Sequence, residues 1–170
     1  MSSENIETRT RILEATVRVL EQYGGRGVRM GDIAKESKIS RQAVYLHFAS
    51  RTDLLIAATL YKGDLIDVEG RLAPSRAAAT GVERLGLYIE FWGNFVPEIY
   101  GVAKALKMAQ DTDEAAAAAW RDRMLAMRDG CRAAIEALEA DGTLAPEWTR
   151  PKAIDALWTM LLVPNWEHLT

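Results

Sequence analysis

At 170 residues, with 49% hydrophobic and 26% charged residues, the chain is long enough for one well-buried domain or a small domain joined to a larger one. No apolar run approaches the ~18 residues that cross a bilayer, the start MSSENIETRTR has no apolar signal core, and the single Cys131 excludes an internal disulfide, so a cytoplasmic protein is expected. The net charge of −3 is uneven: residues 1–50 hold eight basic and six acidic side chains, and residues 51–170 hold thirteen and eighteen. A mildly basic head on an acidic body suits contact with nucleic acid through one end only.

The first helix is expected over Glu7 to Tyr23, where Ile12, Leu13, Thr16, Val19, Leu20 and Tyr23 recur at helical spacing. Gly24-Gly25-Arg26-Gly27 ends it. This glycine cluster follows a helix and lacks G-x-G-x-x-G spacing, so it reads as a turn and not a phosphate loop. Two short helices follow, about Met30 to Ser37 and Arg41 to Phe48, with Ser40 as N-cap of the second. Ile33 and Ala34 face Ile39, Val44 and Phe48, which fixes the two helices at one angle and leaves Ser40, Arg41, Gln42, Tyr45, Leu46 and His47 on the outer side. A rigid helix with basic and planar polar groups at its N-terminal end is what a DNA major groove accepts.

The next helix, capped by Ser50 or Thr52, is expected from Arg51 to Gly70, and Arg71 to Thr80 with Pro74 reads as a loop. A helix over Gly81 to Phe95 is apolar on most sides and is expected to be central, with Pro97 opening a separate helix to Ala109. Asp111 to Glu114 start a helix to Ala140 whose apolar stripe is Trp120, Met124, Met127, Cys131, Ala134 and Leu138. Thr149 caps the last helix, which Pro164 interrupts. No strand pattern occurs, so the fold class is all-α: a helix-turn-helix head over 1–52 and a larger helical body over 53–170.

The segment Asp32-Ile33-Ala34, then Ile39-Ser40, then Val44-Tyr45-x-His47-Phe48-x-x-Arg51-x-x-Leu54-Leu55 resembles the TetR (tetracycline repressor) family of bacterial regulators over about residues 8–56. The resemblance implies a homodimer whose subunits each carry a DNA-binding head and a helical body for a small molecule. It implies phosphate contacts for Ser40, Tyr45, His47 and Arg51, and base or nearby backbone contacts for Arg41, Gln42 and Leu46. Two departures bear on the head: Arg29-Met30-Gly31 stands where the family often has Thr, and Lys38 stands in the turn where Gly is common. Lys38 then has to adopt a left-handed conformation at ~1–2 kcal/mol, and adds positive charge near DNA. The family also has a further helix after the eighth; the chain reaches Thr170 soon after Pro164, so the body is expected to be truncated or to have its end omitted.

For the body, Tyr88, Phe91, Trp92, Phe95, Tyr100, Trp120, Met124 and Met127 are the candidate ligand-binding residues, either lining an apolar cavity or forming plain core. Glu90 and Asn94 share a face of the most apolar helix and either supply polar contacts to a ligand or face solvent. Cys131 reads as inert packing. No metal site is expected, because the only other histidine besides His47 is the remote His168. No catalytic motif or cofactor loop is present. The expectation is therefore a regulator, most simply a repressor, with operator DNA, a small largely apolar effector and a second copy as partners. The alternative is an all-helical small-molecule binding protein without specific DNA recognition.

Overall fold

The computed structural model describes residues 3–169 as nine α-helices; among these residues there is no strand and no helix long and apolar enough to cross a membrane. They are α1 (Ser3–Gln22), α2 (Met30–Glu36), α3 (Arg41–His47), α4 (Arg51–Ile66), α5 (Val68–Ala77), α6 (Gly81–Ala109), α7 (Glu114–Ala140), α8 (Arg150–Met160) and α9 (Val163–Leu169). Two compact units are formed. One comprises residues up to Ile66 together with Ile99–Trp120, and the other comprises Asp67–Glu98 together with the chain from Arg121 onward.

In the first unit the buried stripe of α1 carries Ile12, Leu13, Thr16, Val19 and Leu20, as the periodicity predicts. Thr16 is harmless there because its hydroxyl donates to the Ile12 carbonyl at 2.7 Å. Tyr23, expected on the same stripe, lies beyond the helix end and is 58% exposed. Ile33, Ala34, Val44 and Phe48 join α2 and α3 to this core, with Leu54, Leu55 and Ala58 of α4. Val102, Ala105 and Leu106 close the same core from the second part of α6. Asp113 precedes α7 and accepts from the Ala115 and Ala116 N–H groups at 2.9 and 3.1 Å. Its other oxygen accepts from Thr52 of α4 at 2.6 Å. The Thr52 hydroxyl and these N–H groups hold the Asp113 carboxyl below the usual carboxylate range.

The second unit is built on a separate core of Tyr88, Cys131, Ala134, Ile135, Leu138, Ala153, Ile154 and Leu157. Arg71 of α5 donates to Glu98 of α6 at 2.9 Å, and Arg128 of α7 donates to Asp155 of α8 at 2.5 Å.

Five expectations are corrected. The fourth helix ends at Ile66, because Asp67 takes a left-handed conformation (φ 55°) and its carboxylate accepts from the Gly70 N–H at 3.1 Å, capping a new helix. That helix, α5, occupies the stretch read as a loop and contains Pro74. Pro97 does not divide α6. In both helices the residue four positions before the proline, whose carbonyl the ring crowds, is a glycine: Gly70 before Pro74 and Gly93 before Pro97. A residue without Cβ lets its carbonyl tilt away, which lowers the usual cost of an internal proline. The first part of α6 is not apolar on most sides in the fold. Tyr88, Phe91 and Phe95 form its buried face, while Ile89 is 44% exposed and Glu90, Gly93 and Asn94 are also exposed. Finally, Pro164 sits in the first turn of α9, where its missing N–H costs nothing, so a helix follows the interruption.

Gly101 is where α6 meets α1. A Cβ there would lie 2.6 Å from the Leu20 carbonyl oxygen, against backbone that cannot rotate away. We predict that Gly101→Ala destabilises the fold by about 1–3 kcal/mol in denaturant titration. Gly31→Ala, in a helix with open space around the new methyl, should stabilise it by about 0.5–1 kcal/mol. Equal effects of the two would remove the close approach from the account.

Candidate DNA-reading head and effector cavity

The head is a short helix held by its neighbours. Ser40 caps α3 by accepting the Ala43 N–H at 3.1 Å, and Ser50 caps α4 by accepting the Asp53 N–H at 3.0 Å. Asp32 accepts the Arg29 N–H at 2.8 Å and fixes the start of α2. Between α2 and α3 the chain turns through Lys38, whose φ of 57° is the left-handed conformation its position requires. Arg18 of α1 donates to Glu36 of α2 at 3.0 Å across an exposed surface.

With Val44 and Phe48 buried, α3 presents Arg41, Gln42, Tyr45 and Leu46 outward. Leu46 is 87% exposed and Tyr45 41%, unusual for side chains of their size on a helix that packs so closely. The Arg41 guanidinium lies 5.7 Å from the Tyr45 ring centre, so the two are pre-arranged on one face. Lys38 and Ser40 are exposed beside them, and His47 is half-buried at the far end. Arg51 is partly buried, and its Nε donates to the Val28 carbonyl at 3.1 Å. Arg51 thus ties the start of α4 to the segment before α2, a role the sequence did not reveal. Arg9 of α1 was likewise not singled out; it sits 4.9 Å from the Phe48 ring.

In the second unit a cavity of about 430 Å³ opens among α5, α6 and α7. Tyr88, Phe91, Trp92, Phe95 and Met127, all candidates from the sequence, line it. Phe91 and Phe95 stack with centres 5.0 Å apart, and Trp92 meets Phe91, Phe95 and Tyr88 edge to face at 5.5, 5.3 and 6.1 Å. The Tyr88 hydroxyl donates to the Met127 carbonyl at 2.8 Å. Gly130 allows this, since any Cβ at that position would collide with the hydroxyl. The other candidates lie elsewhere. Glu90 and Asn94 line a separate cleft of about 220 Å³ with Arg71 and Pro74, and the Asn94 amide donates to the Glu90 backbone carbonyl at 2.9 Å. Tyr100 and Trp120 belong to the first unit, where Tyr100 bonds Lys104 and Trp120 packs on the core. Met124 is half-buried outside the cavity lining. The lining residues missed by the sequence reading are mainly on α5, which was read as loop, and the charged side chains Glu69, Arg76, Arg84, Arg123 and Asp129.

The profile of the bacterial regulatory proteins, tetR family, matches residues 12–58, the span from the α1 stripe to Ala58. Over these residues the head is similar to the TetR family. Over 48 residues it is 40% identical to the HTH-type transcriptional regulator AcrR of Shigella flexneri; the match covers 28% of this chain and 22% of that protein. The chain therefore corresponds to about a fifth of that relative's length. Two solved structures share the fold across nearly the whole chain. One, from Saccharomonospora viridis, is described as a transcriptional regulator in complex with choline (TM-score 0.79, 20% identity, covering 96% of this chain and 85% of that one). The other is the transcriptional regulator FadR from Bacillus subtilis in complex with stearoyl-CoA (TM-score 0.72, 17% identity, covering 94% and 87%).

The motif that carried the resemblance thus lies within the matched residues, and nearly the whole chain shares a helical fold with these two solved structures at little sequence identity. Cys131 is fully buried in the body, with Sγ 4.0 Å from the Tyr88 hydroxyl. Burial pushes its thiol up to about 11 and raises the Tyr88 hydroxyl as well. We predict that Cys131 resists a disulfide exchange reagent at pH 7.5 in the folded protein and reacts fully once denaturant unfolds it. Rapid labelling of the native protein would show that this core opens readily.

Proposed function

We propose that this protein is a ligand-responsive transcriptional repressor that acts in the cytoplasm. It binds a near-palindromic operator as a homodimer and is released by a small, largely apolar effector. The observation that carries this reading is the outer face of α3: Arg41, Gln42, Tyr45 and Leu46 stand exposed on a capped seven-residue helix whose opposite face is locked by Val44 and Phe48. Such a helix places its first turn at base edges in a major groove, where Arg suits guanine and Gln suits adenine. Lys38, Ser40, Tyr45, His47 and Arg51 surround it as phosphate contacts, which fix register without reading sequence. Two heads on a symmetric dimer would enter successive major grooves, about 34 Å apart.

The effector site is the aromatic cavity of α5, α6 and α7. The two relatives of like fold that hold choline and stearoyl-CoA support a small-molecule role for this part of the chain. Residues of α6 and α7 belong to both units, and an effector bound in the cavity would act by biasing an equilibrium between DNA-competent and DNA-incompetent states. Release of DNA follows only to the extent that the effector prefers the DNA-incompetent arrangement.

Selection of binding duplexes from a random pool tests the reading. Gln42→Ala should change the preferred base at one position per half-site, worth about 1–3 kcal/mol. Tyr45→Phe, which keeps the ring under Arg41, should weaken all sequences alike. An unchanged base preference in Gln42→Ala would remove the base contact. Lys38→Gly separates stability from binding: it should relieve the left-handed lysine, raising stability by up to about 1 kcal/mol, while lowering the salt dependence of DNA affinity by about one counterion. Unaltered salt dependence would show that Lys38 does not reach phosphate.

A further inference from the structure

The charge pattern of the cavity points to the class of effector, an inference that rests on reading this cavity as the effector site. Five charged side chains line it: Glu69, Arg76, Arg84, Arg123 and Asp129. Four of them are already compensated. Arg76 pairs with Glu69 at 2.5 Å, Asp129 with Arg132 at 2.9 Å, and Arg123 with the neighbouring Asp122. The Arg84 guanidinium alone among them has no ion pair or hydrogen bond within the described residues. Its backbone is fixed independently of the side chain, since the Arg84 carbonyl accepts from the Ser75 hydroxyl at 2.9 Å. Apart from Ser75, the remaining lining is mostly apolar, with Leu72 and Met127 beside the four-ring cluster.

A cationic ligand would find no acid free to balance it. It would also meet a ring cluster that already carries a cation, because the Arg71 guanidinium lies 5.7 Å from the Phe91 ring centre. An anionic group, by contrast, meets a planar guanidinium with a fork of N–H donors matched to two oxygens. We infer that the cavity takes an amphipathic organic monoanion, with its carboxylate on Arg84 and its apolar part against Tyr88, Phe91, Trp92 and Phe95. A volume of about 430 Å³ accommodates such a molecule.

The test is calorimetric titration of the full chain with decanoate, decanol and decyltrimethylammonium, which share one apolar tail and differ in charge. Decanoate should bind about tenfold to a hundredfold more tightly than decanol, with the ammonium compound weaker still. Arg84→Gln should bring decanoate down to the affinity of decanol and leave decanol unchanged. Ala133→Phe, which fills the cavity from α7, should abolish binding of all three. Failure of decanoate to bind, preference for the ammonium compound, or unchanged decanoate selectivity in Arg84→Gln overturns the inference. Decanoate binding that survives Ala133→Phe overturns the cavity itself as the site. Decanoate selectivity unchanged in Arg84→Gln, with Ala133→Phe still blocking, removes Arg84 as the anion's partner and so overturns the inference, while leaving the cavity reading standing.

Discussion

The head depends on burial of one stripe of α1. Ile12, Leu13, Thr16, Val19 and Leu20 lose nearly all contact with water, and α2, α3, α4 and the second part of α6 are all packed into the core they form. Each fully buried aliphatic side chain contributes roughly 1.5–3 kcal/mol, which no exposed ion pair of the head approaches. The exposed Arg18–Glu36 pair can therefore orient α2 but cannot hold it. A recognition helix of seven residues would not persist alone. It persists because Val44 and Phe48 are anchored in that shared core, and because Ser40 supplies its first-turn cap.

Function follows from what the anchoring leaves outside. A helix with one buried face has its outward side chains fixed in position, so Arg41, Gln42 and Tyr45 meet a partner without first being ordered. The strained Lys38 turn sets the angle between α2 and α3. A glycine there would ease the backbone, whereas the lysine places a charge beside α3. In the body, the same logic applies in reverse: residues of α6 face an open volume instead of a packed neighbour, and the aromatic side chains stack on one another around it.

Much of this was legible in the sequence, and the misses have physical causes. The α1 stripe, the Ser40 cap and the outer face of α3 follow from local periodicity and capping, which act within a few residues. Lys38 could be assigned its left-handed backbone from its position in the turn. The breaks around Pro74 and Pro97 were misread because a proline argues against helix interior by its own geometry, whereas tolerance depends on the residue four positions earlier; Gly70 and Gly93 were the available signal. Five aromatic and methionine candidates do line the cavity, but Pro74 makes α5 read as a loop, which hides its contribution and the charged lining. Tyr100 and Trp120 look like pocket residues by type, yet they belong to the first unit, and helical spacing alone cannot distinguish one core from another.

The most direct test of the central claim is fluorescence anisotropy of the purified protein with a labelled duplex from upstream of its own gene, beside a scrambled duplex, over a series of salt concentrations. The account predicts tight binding that prefers the upstream duplex by a thousandfold or more, on the order expected for specific recognition, and that weakens steeply with salt. Weak binding of equal strength to both duplexes, together with equal binding to every sequence offered, would contradict it.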